Sequence, residues 1–248
     1  MIGERNAVRH LLVLWLTFVP MLAFAQPYPS KVVRVVTGST AGGGMDVTGR
    51  PITQRMSELF GVQVIMDNRP GAAGMVANEL VAKSAPDGYT LLMSSVTTQA
   101  INMSLTARPP YDFVRDYAPV GLVASAPLAL VIHTSLPSKS VREFIALAKA
   151  RPGELNYFSS GTGTGTHLAG VIFDQLAGVR TTHVPYKGGA QALGDLLSGQ
   201  VQFAFSTIGL VEPHVATGRL RILGVGSRKR YTRMPDIPTI AESGVKDY

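Results

Sequence analysis

Three stretches of this chain run from an apolar strand into a turn of small residues and then into a helix. They are residues 32–46 (V-V-R-V-V-T-G-S-T-A-G-G-G-M-D), 155–168 (L-N-Y-F-S-S-G-T-G-T-G-T-H-L) and 182–193 (T-H-V-P-Y-K-G-G-A-Q-A-L). Strand and helix signals also alternate between them. A chain of this kind buries its strands in largely parallel sheets covered by helices, so the fold class is α/β. Such sheets bind ligands beyond the carboxyl ends of their strands, where these turns lie. Backbone N–H groups and hydroxyls there point at whatever sits over a helix N-terminus, and the helix dipole favours an anion.

Residues 32–36 form a continuous run suited to a strand buried on both faces. A helical pattern covers 47–59 and stops at Gly61. Residues 62–66 and 89–93 read as strands, and 76–82 as a helix. Pro109-Pro110-Tyr111 breaks the rhythm. Residues 120–125 and 128–132 then read as strands that carry the chain from one lobe to another. The second half repeats the alternation. Helix 141–150 has Ser140 as N-cap and Glu143 at the capping-box position, and helix 166–177 has Thr166 as N-cap. Strands are expected at 155–158, 182–184, 201–205 and 220–225, and helices at 189–197 and 211–217. Two lobes with a hinge follow: lobe 1 at 26–125 with 227–248 returning to it, and lobe 2 at 126–226, with a cleft between.

The start reads as an export address. Arg5, Arg9 and His10 precede an apolar run at 11–22, and Ala23-Phe24-Ala25 forms a small-residue cleavage site, giving a signal peptide at 1–25. The run is short for a membrane anchor, which needs roughly 20 residues. The chain has no cysteine, which excludes disulfides, thiolate chemistry and cysteine-bound metal. Its five histidines, at 10, 133, 167, 183 and 214, lack metal-site spacing. The net charge of +7 suits steering of small anions. Nucleic acid is not favoured, because the longest basic cluster is Arg228-Lys229-Arg230 and no aromatics interleave with basic residues.

Rival chemistries are weak. Thr37, Gly38, Gly42 and Gly44 match the dinucleotide turn of short-chain dehydrogenases, and Asp67 stands where a ribose-binding carboxylate would. However, no tyrosine has a lysine four residues later, as that chemistry requires. No G-x-S-x-G elbow supports a serine hydrolase, and no lysine follows the glycines at 161–165 as a phosphate loop would require. Asp46 suits either a helix cap or an indirect ligand role through backbone or water. His167 suits helix packing or a ligand contact. Lys187 suits an exposed position or, beside Tyr186, an anion contact.

The motifs Tyr28-Pro29-Ser30-Lys31, Gly42-Gly43-Gly44-x-Asp46, Asn68-Arg69-Pro70-Gly71-Ala72-Ala73-Gly74, Ala85-Pro86-Asp87-Gly88-Tyr89, Val184-Pro185-Tyr186-Lys187-Gly188, Leu196-Leu197-Ser198-Gly199-Gln200 and Met234-Pro235-Asp236-Ile237-Pro238 occur in that order. Together they resemble the Bug family, the substrate-binding proteins of tripartite tricarboxylate transporters. The resemblance implies a periplasmic binding protein of type II that closes on a carboxylate, with no cofactor and no catalysis. It also implies a monomer that partners the membrane subunits of a transporter, or a sensor. It places the first glycine turn, Ser94 and Ser95, the turn at 159–166 and the turn at 186–188 around the cleft. Three departures stand out. Ser39 and Ala41 occupy a turn where the family carries prolines. Ser206 stands where the family has aspartate, which disfavours amino-bearing ligands. The chain also ends at Tyr248, short of the family's usual C-terminus.

The residues themselves lead to the same expectation. Ser160, Thr162 and Thr164 donate to the ligand with Gly163 between them. Tyr186, Lys187 and Gly188 hold one carboxylate, and Gly42, Gly43 and Gly44 hold the other. Asp46 and His167 join them, and the resemblance adds Ser94, Ser95 and Ser206 to the set. The alternatives are a ligand-dependent sensor of the same fold, an exported enzyme, or a nicotinamide-binding protein.

Overall fold

Two helix-flanked sheets, linked through residues 118–127, position the site. The computed structural model describes residues 27–248, so the expected signal peptide lies outside the described residues. The architecture below concerns Lys31–Tyr248.

The first sheet has the order β2-β1-β3, all parallel, from β1 (Val33–Thr37), β2 (Val64–Asn68) and β3 (Thr90–Met93). Crossovers are made by α1 (Gly44–Phe60) and α2 (Met75–Ala82), and α3 (Val96–Leu105) follows β3. Gly61 stops α1 in a left-handed conformation (φ 68°), which a residue without Cβ adopts freely. No sequence pattern marks α3. Its T-T-Q-A-I-N-M-S sequence has little intrinsic helix preference. Tertiary packing holds it instead, through the buried polar side chains of Gln99 and Asn102.

The second sheet has the order β6-β5-β7-β4-β8. Its strands are β4 (Leu128–His133), β5 (Asn156–Ser159), β6 (Thr182–Pro185), β7 (Phe203–Thr207) and β8 (Leu220–Val225). β5 pairs parallel with β6 and β7, whereas β4 runs antiparallel to β7 and β8. Alternate residues point to opposite faces. Leu130, Ile132, Tyr157, Phe203 and Phe205 therefore pack under α4 (Val141–Ala150) and α5 (Gly165–Ala177). Ala129, Val131, Phe158 and Ala204 pack under α6 (Gly189–Ser198) and α7 (Ile208–Ala216). Ser140 caps α4 by accepting Glu143 N–H at 3.2 Å, while the Glu143 carboxylate reaches Lys139 N–H at 2.7 Å.

Three expectations change. Residues 118–126, where a strand is expected at 120–125, form none, and Val120 and Leu122 stand in solvent. Residues 227–248 do not return to the first lobe. Thr239 bridges Val225, and Ile240, Val245 and Tyr248 enter the core beside Phe173 and Phe205. Gly224 makes room for this, since a Cβ there would stand 3.2 Å from Ile240 Cγ1. Finally, the N-cap of α5 is Thr164, not Thr166, whose Oγ1 instead accepts Ser160 N–H at 3.0 Å. No helix of the described residues is long and apolar enough to cross a membrane.

Candidate functional site

The carboxyl ends of both sheets open onto one cavity of about 770 Å³. Six helix beginnings reach its wall: α1 through Gly44 and Met45, α2 through Gly74 and Met75, α3 through Ser95 and Thr97, α5 through Thr164 and Gly165, α6 through Gly188, and α7 through Thr207. Each carries backbone N–H groups without an intrahelical partner and a partial positive charge of about half a unit. Among the described residues that line the cavity, Lys187 carries the only charge and none is a carboxylate.

Of the expected residues, Gly44, Ser94, Ser95, Ser160, Thr162 and Gly163 line the wall, as do Thr164, Tyr186, Lys187, Gly188 and Ser206. Four do not. Gly42 N–H donates to Asp46 Oδ2 at 2.8 Å and Gly43 N–H to Thr40 O at 2.9 Å, so both amides are already engaged. The first turn thus offers the amides of Gly44 and Met45, one step further along the chain. Asp46 is buried behind the turn and also accepts from Arg50 Nε at 2.7 Å. Burial alone would raise its pKa, but hydrogen bonds from Arg50, Gly42 N–H and Asn68 outweigh burial and hold it below the ordinary carboxylate value. His167 also stands behind the wall, its Nδ1 accepting Gly163 N–H at 3.3 Å.

Asp46→Ala should therefore cost about 1.5–3 kcal/mol, because it removes the charged acceptor of the Gly42 N–H and Arg50 Nε hydrogen bonds. The lowered pKa gives the sign of the pH dependence. Asp46 stabilises the fold above its unfolded pKa, and that contribution is lost as pH falls through the lower folded value. Urea melts at pH 7 and pH 3 check both points: the difference between wild type and Asp46→Ala should shrink in acid.

The other turns are similarly pre-set. Thr164 Oγ1 donates to Gly161 O at 2.6 Å, so this hydroxyl shapes the loop rather than pointing freely into the cavity. Tyr186 donates its hydroxyl to Asp195 Oδ2 at 2.5 Å, and burial followed by that carboxylate pushes its pKa up to about 12. The phenol is committed there, which leaves Lys187 and the Gly188 backbone as the donors of this turn. Ser94 is the end of a buried relay. Asn78 Nδ2 donates to Tyr111 OH at 2.7 Å, Tyr111 OH to Gln99 Oε1 at 3.0 Å, and Gln99 Nε2 to Ser94 Oγ at 2.6 Å. Asp67, the dehydrogenase-like carboxylate, is bound by Arg34 and by Arg69 Nε, the latter at 2.8 Å.

Sequence reasoning missed Asn102, whose Nδ2 donates to Ala73 O at 3.0 Å, and the turn at 71–74 that it supports. Ala72 and Ala73 hold positive φ (45° and 51°), a conformation that L-residues adopt only under constraint. The small residues of the 68–74 motif were the available signal.

The lobes touch around the cavity. A Cβ on Gly188 would stand 2.1 Å from Thr40 Oγ1, and one on Gly44 would stand 2.5 Å from Thr207 Oγ1. Thr40 Oγ1 itself is buried with no hydrogen-bond partner among the described residues.

A family profile described as "Tripartite tricarboxylate transporter family receptor" matches residues 48–248. Three solved structures are similar. Rpa4515 of R. palustris with adipate is 37% identical, covering 89% of this chain and 74% of that one at a TM-score of 0.86. The periplasmic binding protein BugD is 30% identical, covering 89% and 73% at 0.84. MatC (Rpa3494) from Rhodopseudomonas palustris, with bound malate, is 29% identical, covering 88% and 74% at 0.81.

Proposed function

The chain belongs to the tripartite tricarboxylate transporter receptor family, and on that premise we propose that it captures a small carboxylate between its lobes in the periplasm and hands it to a membrane transporter. The observation that carries this reading is the meeting of six helix N-termini on one cavity whose lining includes a cation and no carboxylate. Closing the lobes sets the positive ends of α1, α2 and α3 against those of α5, α6 and α7. Like-signed ends repel, so closure is unfavourable until an anion lies between them. A ligand that touches both lobes only when they are closed shifts the population toward closure.

The ligand is a plain carboxylate rather than an amino acid. With Ser206 on the wall and no acidic neighbour among the lining residues, an ammonium group would have no ionic partner. The adipate and malate held by the similar structures support this choice. Lys187 and the Gly188 backbone hold one carboxylate, and the Gly44 and Met45 amides hold the other, directly or through water.

Thermal melts of the purified protein with mono-, di- and tricarboxylates test the proposal. A true ligand at a hundredfold excess over its Kd stabilises by about 2.7 kcal/mol, which raises Tm by roughly 5–10 °C in a chain of this size. An unmoved Tm across the panel, with a folded protein, would reject it.

A further inference from the structure

The turn at 159–164 is held from behind by two imidazoles. His167 in the first turn of α5 and His183 on β6 lie with ring centroids 4.2 Å apart, tilted by 31°. His167 Nδ1 accepts Gly163 N–H at 3.3 Å. His183 Nε2 lies 2.6 Å from Ser159 Oγ, and that oxygen accepts Gly161 N–H at 3.1 Å. Both glycines have positive φ, 130° and 82°, a conformation glycine adopts freely, and these contacts select it from the several open to the backbone here. Gly161 and Gly163 both line the cavity, whereas neither imidazole does.

We propose that His167 and His183 are positioning residues of the carboxylate site: as a neutral pair they hold the Gly161 and Gly163 amides in the binding geometry, and protonation of the pair releases the turn and weakens capture. This rests on the receptor reading above. A neutral imidazole has one N–H and one lone-pair nitrogen. The Gly163 N–H needs the lone pair at His167 Nδ1, which places the His167 proton on Nε2. Protonation would set N–H against N–H at Gly163 and put a cation against the second ring.

The ionisable groups on the elements packed around the pair are Tyr157 on β5, Asp174 on α5 and Tyr248 in the terminal segment. Burial pushes Tyr157 up to about 12, and its ring lies 5.0 Å from His183. Asp174 accepts from Thr181 N–H and Oγ1, both at 2.9 Å, and Tyr248 OH donates to Ala169 O at 3.1 Å. Burial lowers the pKa of His167. Burial and then the neighbouring His167 lower His183 to about 4. A lowered folded pKa means that the hold is complete above the ordinary histidine value near 6.5 and is lost as pH falls from there toward 4.

The test is the adipate affinity of the full chain, measured by isothermal titration from pH 7.5 to pH 4, for wild type, His167→Gln and His167→Phe. The glutamine carbonyl can accept Gly163 N–H without titrating. Across that range wild type should lose roughly fivefold to tenfold in affinity relative to His167→Gln, within the tenfold per pH unit that one linked proton allows. Protonation of adipate is common to both proteins and cancels in the ratio. His167→Phe should bind about tenfold more weakly even at pH 7.5, because a charge-neutral loss of the acceptor frees the same turn. A ratio that stays flat with pH, or tighter wild-type binding in acid, overturns the inference.

A ligand-free measurement separates this from failure of the receptor reading. The Gly163 amide resonance should follow imidazole titration in wild type and stay put in His167→Gln. A resonance indifferent to that titration in wild type overturns the inference even if adipate never binds.

Discussion

Gly188→Val is expected to abolish carboxylate binding, with at least a hundredfold loss of affinity, while the ligand-free melting temperature moves little. Gly188 has φ 172° and ψ 165°, an extended backbone open to any residue, so no local strain opposes the change. The obstacle lies in the other lobe. A Cβ at this position would stand 2.1 Å from Thr40 Oγ1, 2.4 Å from its Cγ2 and 2.7 Å from its Cβ. A side chain can relieve one such contact by rotating, but the Cβ contact requires the backbones to separate. The lobes would then stop short of the distance at which the α1 and α6 termini share one anion. Isothermal titration with adipate measures the loss, and small-angle scattering should show no compaction on adding ligand. The pair Gly188→Ala with Thr40→Gly removes all three clashing atoms and should recover binding. If Gly188→Val alone binds normally, lobe closure through this contact plays no part in capture.

Phe203→Ala should produce the largest stability loss, about 3–5 kcal/mol, the range for emptying a buried phenylalanine site. Phe203 is fully buried at the centre of the five-stranded sheet, with ring centroids 4.8 Å from Phe144 and 5.3 Å from Tyr157. Its neighbours come from α4 and β5, and Phe205 lies on the same strand face, so the cavity cannot close by moving one side chain. In a chain of this length the drop in Tm should be on the order of 10 °C or more. Denaturant melts supply the free energy, and a change under 1 kcal/mol would show that this face repacks freely. Phe203→Leu, which leaves much less empty volume, should recover most of the loss.

The two substitutions differ in how readable they are from sequence. The core position is legible: V-Q-F-A-F is a short apolar run before a helix, and strand alternation puts Phe203 and Phe205 on one face. Gly188 was legible as a turn glycine suited to close backbone approach, but the group it approaches was not. Thr40 lies far away in sequence, and no local pattern encodes that pairing. The four residues expected in the site but found behind it follow the same logic. Composition marked Gly42, Gly43, Asp46 and His167 as polar or permissive groups near a helix start. Which donor meets which acceptor depended on Asp46 turning back to Gly42 N–H and on His167 receiving Gly163 N–H. The 71–74 turn and α3 were missed because weak helix formers and strained alanines carry no periodic signal.

From sequence alone come most of the strands and helices and the turns that end at helix beginnings, whose dipoles favour an anion. These follow from side-chain periodicity and from backbone freedom at small residues, both properties of a few neighbouring positions. The tertiary structure alone decided which amides remain free, that the terminal segment covers the five-stranded sheet, and that Thr40 and Gly188 meet. Those outcomes depend on contacts between residues far apart in the chain, and only the assembled sheets bring such residues within reach.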